Sequence, residues 1–229
     1  MKRENTMNTY NLIMFDLDGT LVDTAPEICD AVNDTLRQFD LPEVQVAQVS
    51  HWIGMGTCEL LVQALASSLE TNAASVRVSD TFSTITAAFE QHYQNRCGTR
   101  SQLFAQVRET LVALRQRGVK LAVVTNKESR FAQSVLNAHQ LTPLLDLVVC
   151  GDSLSTKKPD PEGIESCLSV FDMPRDRALL VGDSSIDVTT ARNADVAVWV
   201  VPYGYNMGRP IEACAPDRVI ADISLLLNM

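Results

Sequence analysis

The 229-residue chain has no apolar run long enough to span a bilayer; the longest, such as Val196–Val201, fall far short of the ~18 residues required. Positive charge is scarce. Lys and Arg number 19 against 28 Asp and Glu, so the net charge is −9 and the isoelectric point near 4.8, a field that repels nucleic-acid backbones and anionic membrane surfaces. The six cysteines (Cys29, Cys58, Cys97, Cys150, Cys167, Cys214) show no CxxC or other metal-ligand spacing, which leaves them as reduced core or surface thiols. The three histidines, His51, His92 and His139, fall in helical or loop context and receive no catalytic role. No GxSxG elbow supports Ser184 as a nucleophile, and Gly54-Met55-Gly56 lacks the third glycine of a dinucleotide fingerprint. Repeats and low-complexity tracts are absent, and the polar Met1–Tyr10 stretch carries no leader-like apolar core, so a cytoplasmic protein is expected.

What is present is ordinary globular material, 46% hydrophobic and 21% charged, in a length that suits one main domain plus an insertion. Asn11–Leu17 reads as a buried strand stopped by Asp18-Gly19. Thr24-x-x-Glu27 has the spacing of a capping box ahead of a helix with Ile28, Val32, Leu36 and Phe39 on one face. Helical spacing continues through Leu61, Leu65, Leu69, Phe82, Ile85, Phe89 and Tyr93, with no strand expected before about residue 118. From there strands (120–125, 145–150, 178–182, 196–201) alternate with amphipathic helices. That is the pattern of an α/β fold with a Rossmann-like parallel sheet covered on both faces. The helical block, residues 22–98, then interrupts a core made of 1–21 and 99–229.

Open α/β sheets bind ligands at the carboxyl ends of their strands, and the polar residues cluster there. Asp16 and Asp18 close the first strand, Thr125 and Asn126 the second, and Asp183 the fourth, while Lys158 lies after the third. Two apart on a strand, Asp16 and Asp18 form a candidate acid pair. Taken alone, each group has a plain alternative: a solvated turn for Asp16-x-Asp18-Gly19, a helix cap for Thr125-Asn126, a solvated face for Lys157-Lys158. A calcium loop fails, because glycine stands at the fourth loop position instead of the sixth and a strand precedes it.

In chain order, DLDGTLVD (Asp16–Asp23), VVTNK (Val123–Lys127), KPDP (Lys158–Pro161) and GDSSID (Gly182–Asp187) resemble the four signature motifs of the haloacid dehalogenase-like hydrolase superfamily. The helical block after the first motif resembles that superfamily's small α-helical cap. The resemblance implies that Asp16 attacks phosphorus to form an aspartyl-phosphate, and that Asp18 serves as acid and then base. It implies Mg²⁺ held by Asp16, the Asp18 backbone carbonyl and Asp183, with Asp187 binding the metal or holding its waters. Thr125 and Asn126 would donate to the phosphoryl oxygens, and Lys158 would supply charge. Chemistry asks for the same arrangement, since a carboxylate nucleophile divides the displacement and two carboxylates facing a phosphate need a hard cation between them.

The segment Trp52–Gly56, with Tyr203-Gly204-Tyr205-Asn206 and Pro216-Asp217, is similar to the phosphoglycolate phosphatase branch, so a small phosphate ester, 2-phosphoglycolate first, is the expected substrate. Gly54 and Gly56 are expected to close over it and supply backbone donors. A mutase or phosphatase of another small metabolite, or a silent binding protein, is the alternative. Asp195 and Ala105-Gln106 depart from the family's usual Gly and Pro-Gly.

Overall fold

The computed structural model describes residues 10–229, so the reading of Met1–Tyr10 as leaderless lies, Tyr10 apart, outside the described residues. The chain runs β1 (Leu12–Phe15), β2 (Val22–Asp23), then the helices α1 (Ala25–Gln38), α2 (Val46–Ser50), α3 (Thr57–Ser68), α4 (Ala73–Arg77) and α5 (Phe82–Arg96). It returns through β3 (Gln102–Leu103) to α6 (Val107–Gln116), β4 (Lys120–Val124), α7 (Ser129–Ala138), β5 (Leu147–Val149) and α8 (Glu162–Val170). It ends with β6 (Ala178–Gly182), α9 (Ser185–Asn193), β7 (Ala197–Val200) and β8 (Arg218–Val219). Among the described residues a parallel sheet has the order β5-β4-β1-β6-β7-β8, the Rossmann-like α/β architecture expected from the alternation of strands and helices.

Continuous apolar runs make these strands because both sheet faces are covered. In β1, Ile13 and Phe15 join one apolar layer with Leu121, Val123, Leu179 and Val181, while Leu12 and Met14 join the other with Ala122, Val124 and Leu180. A third apolar cluster belongs to α1–α5: Ile28, Val32, Leu36, Leu61, Leu65 and Phe89, among others, closed by Phe131 of α7. The helical block therefore buries its own core. The strand order reverses between β1 and β6, which opens a crevice beyond their carboxyl ends.

The structure corrects two expectations. Strands do occur before residue 118, since β2 and β3 pair antiparallel as a two-residue ribbon carrying the chain into and out of the helical block. Two-residue strands have no periodicity to detect. The capping box does not form either. The Thr24 hydroxyl donates to Asp18 Oδ1 at 2.7 Å, and the fully buried Glu27 accepts at Oε2 from the backbone N–H groups of Gly98 (2.8 Å), Ser101 (3.0 Å) and Arg100 (3.4 Å). Glu27 thus fastens the outgoing crossover to the returning one.

The departures at Gln106 and Asp195 keep glycine's backbone shape, with φ of +64° and +54°. A side chain there carries left-handed strain of roughly 1–2 kcal/mol, partly offset by glycine's greater freedom when unfolded. Gln106→Gly should therefore raise the melting temperature by about 1–3 °C, and Gln106→Val should lower it, in a thermal melt followed by circular dichroism.

Candidate active site

Where β1 ends, Asp16 is held by its N–H on the Val181 carbonyl at 2.9 Å, which aims its buried carboxylate into the crevice between β1 and β6. Asp183 follows β6 directly, and Asp187 lies one turn into α9. Asp16, Asp183 and Asp187 each bring one oxygen within 4.8 Å of the others. Lys158 reaches in from the loop before α8, its Nζ 2.8 Å from Asp16 Oδ1 and 2.7 Å from Asp187 Oδ1. Burial pulls the Lys158 ammonium down, but Asp16 and Asp187 outweigh it and the net shift is upward, so this lysine stays charged. Burial likewise pushes Asp16 up to about 6, with Lys158 opposing the rise and Asp187 and Asp18 adding to it.

Asp183 receives only neutral donors: the Thr20 hydroxyl at 2.9 Å and the Tyr205 N–H at 2.7 Å. Burial, then Asp187 and Asp16, push its carboxyl well above the usual range. The backbone crowds it closely, since a Cβ on Gly19 (φ +89°) would lie 2.3 Å from its Oδ2 and one on Gly204 would lie 2.2 Å away. A rigid, buried, all-oxygen set with more negative charge than Lys158 can balance fits a hard divalent cation. Asp187 is differently engaged. Its Oδ2 accepts from the N–H groups of Asp183 (3.2 Å) and Ser184 (3.1 Å) and the Ser184 hydroxyl (2.7 Å), forming a capping box on α9, while Oδ1 takes Lys158.

The remaining expected residues meet in one small cavity of about 30 Å³, room for roughly one water. Asp16, Asp18, Thr125, Asn126, Gly54 and Gly56 line part of it. Thr125 accepts the Lys127 N–H at 3.3 Å, which leaves its own O–H to donate. The Asn126 side chain is engaged elsewhere: its Nδ2 donates to the carbonyls of Gly54 and Lys158, both at 2.9 Å, so this amide tethers loops together and leaves only the backbone N–H of Asn126 for a phosphoryl oxygen. The Met55 carbonyl is likewise taken by Lys157 at 2.9 Å.

Several participants escaped the sequence reading. Lys127 Nζ grips Asp18 at 2.9 and 3.1 Å and contacts the Tyr93 hydroxyl. The Tyr205 hydroxyl accepts from the N–H groups of Thr24 and Ala25, both at 2.9 Å, and donates to Asp23 at 2.7 Å, joining the Asp183 loop to the start of α1. The only sequence signals were a lysine directly after Thr125-Asn126 and the tyrosines of the 203–206 segment.

A Rossmann-like sheet whose switch point gathers buried carboxylates around one lysine points to an α/β enzyme whose chemistry centres on acids. Its family is shown by comparison: the haloacid dehalogenase-like hydrolase signature matches residues 13–201, and the chain belongs to that family. It is 37% identical to a phosphoglycolate phosphatase of Aliivibrio fischeri, with 94% of each chain covered. It is 36% identical to one of Vibrio cholerae, with 97% of this chain and 98% of the relative covered. A crystal structure from Haemophilus somnus 129pt, described as a predicted phosphoglycolate phosphatase, superposes with a TM-score of 0.90 at 32% identity, covering 98% of this chain and 99% of that one.

The crowding of negative charge has a measurable consequence. Folded Asp183 holds its proton more tightly than the unfolded chain does, so in the metal-free protein this group's contribution to stability falls as pH rises above about 4. Asp183→Asn removes that charge, while Oδ1 still accepts from Tyr205 and the new amide donates to the Thr20 hydroxyl. In metal-free buffer at pH 7.5 its melting temperature should exceed wild type by roughly 2–4 °C, the equivalent of about 1 kcal/mol. The gain should shrink as pH falls toward 4.

Proposed function

We propose that the protein is a cytoplasmic, Mg²⁺-dependent phosphatase that hydrolyses small phosphomonoesters, 2-phosphoglycolate first, through an aspartyl-phosphate on Asp16. The observation that carries this reading is the Asp16–Lys158 contact of 2.8 Å beside the buried acid cluster. It places a candidate nucleophile beside a lysine at the wall of a cavity that residues of the helical block also line. The curated relatives from Aliivibrio fischeri and Vibrio cholerae are phosphoglycolate phosphatases, which supports the choice of substrate. In this reading residues 22–98 act as a helical cap over a core of 1–21 and 99–229.

Asp16 attacks phosphorus in line with the ester oxygen, which leaves with a proton donated by Asp18. Asp18 then takes a proton from the water that attacks the phosphorus of the aspartyl-phosphate, releasing inorganic phosphate and restoring both carboxyl groups. Lys158 keeps Asp16 anionic and oriented, and the Thr125 hydroxyl donates to a phosphoryl oxygen. Asp16, the Asp18 carbonyl and Asp183 would hold Mg²⁺, which supplies charge neutralisation at the phosphoryl oxygens. Asp187, with both oxygens engaged, positions Lys158 and the Asp183 backbone. Asn126 contributes by anchoring the Gly54 loop.

Phosphate release from a panel of small esters tests this. Asp16→Asn should lower kcat for 2-phosphoglycolate by about a hundredfold or more while still melting cooperatively. Chelation should abolish turnover and Mg²⁺ restore it. Ca²⁺, which takes more oxygens at longer distances, should restore little. Saturating Mg²⁺ should also raise the melting temperature of wild type by several degrees and that of Asp183→Asn by much less.

A further inference from the structure

Lys127 has no part in the steps above, yet it is the cation among the residues lining the cavity that Asp16 and Asp18 share. It is only 3% exposed. Its ammonium is fixed from two sides, by Asp18 in the loop after β1 and by the hydroxyl and ring of Tyr93 in the helical block, the ring centroid lying 4.9 Å away. Tyr93 is itself wedged between Phe89 and Phe131, with ring centroids 5.6 and 4.4 Å away. The helical block otherwise presents mainly apolar side chains to this cavity, Ile28, Ile53 and Leu60. A desolvated ammonium held this rigidly discriminates strongly between an anion and a neutral group of the same size.

Resting on the phosphatase reading, we infer that Lys127, set in place by Tyr93, selects the leaving group by binding a carboxylate carried about two bonds from the ester oxygen. The ester oxygen must lie against Asp18 to receive its proton, and Lys127 Nζ is 2.9 Å from Asp18 Oδ1, so the ammonium stands beside the leaving group, where a carboxylate takes over one of the hydrogens it now gives to Asp18. The apolar walls offer nothing to the hydroxyls of a sugar, whereas they suit a methylene. Selection thus falls to a core lysine oriented by a tyrosine of the helical block, while the Gly54 and Met55 carbonyls, bonded to Asn126 and Lys157, hold the Trp52–Gly56 loop beside it.

The test compares kcat/KM for 2-phosphoglycolate, its carboxamide analogue and ethyl phosphate in wild type, Lys127→Gln and Tyr93→Phe. Wild type should favour 2-phosphoglycolate over both neutral esters. Lys127→Gln should lose about a hundredfold on 2-phosphoglycolate, mostly in KM, and less than about tenfold on the neutral esters. Tyr93→Phe removes one hydroxyl without emptying the packed site, so it should show the same bias at smaller size even if Lys127→Gln folds poorly. Equal losses on all three esters with wild-type selectivity intact would make Lys127 a positioning residue for Asp18 and overturn the inference alone. A wild type that does not favour 2-phosphoglycolate would overturn the substrate reading and the inference together.

Discussion

Three buried carboxylates crowd together where one lysine reaches only two of them, and the rest of the site follows from that imbalance. Lys158 sits between Asp16 and Asp187 at 2.8 and 2.7 Å, so one positive charge faces three acids confined within 4.8 Å. An interior of low polarizability tolerates this arrangement only if the geometry is fixed from outside and further positive charge is available. The parallel sheet provides the first condition. Asp16 and Asp183 are anchored at the ends of adjacent strands whose residues are buried on both faces, while Asp187 is tied by its capping box to the backbone it would otherwise repel. A divalent cation would meet the second, coupling the cost of assembling the acids to the proposed chemistry.

The helical block is fastened to this cluster at several points. Tyr205 donates its N–H to Asp183 and bridges with its hydroxyl to Thr24, Ala25 and Asp23. Asn126 reaches the Gly54 carbonyl, and Lys127 joins Asp18 to Tyr93. Glu27 clamps the two crossovers through backbone N–H groups. The cavity beneath these ties is lined from both the helical block and the strand ends, so parting and re-forming some of them would widen and narrow access to it. Polar contacts between segments distant in sequence suit that duty, because they are directional and can be exchanged for contacts with water.

Five strands of the sheet could be read from sequence because burial on both faces leaves continuous apolar runs, whereas β8, two exposed residues, leaves none; Asp16 and Asp183 could be placed because each follows such a run directly. The motif spacing carried the family for the same reason. What escaped was set by contacts across long sequence distances. Thr24-x-x-Glu27 has the spacing of a local cap, yet Glu27 bonds residues 98–101, some seventy positions away, and Thr24 turns to Asp18. Asn126 has the right chemistry for a phosphoryl donor, but its side-chain hydrogens go to Gly54 and Lys158. Gln106 and Asp195 looked like departures, while their backbones retain the left-handed conformation that glycine would adopt. A single sequence records residue types, and in each of these cases the partner decided the role.

In the proposed mechanism the Asp16 carboxylate itself becomes phosphorylated. The direct measurement is to quench the enzyme during turnover of 2-phosphoglycolate with Mg²⁺, reduce with borohydride, and map the modified residue by mass spectrometry. An acyl phosphate is reduced to an alcohol, so the account predicts homoserine at position 16, dependent on substrate and absent from Asp16→Asn. Homoserine at Asp18, Asp183 or Asp187, or turnover with unmodified Asp16 throughout, would contradict it.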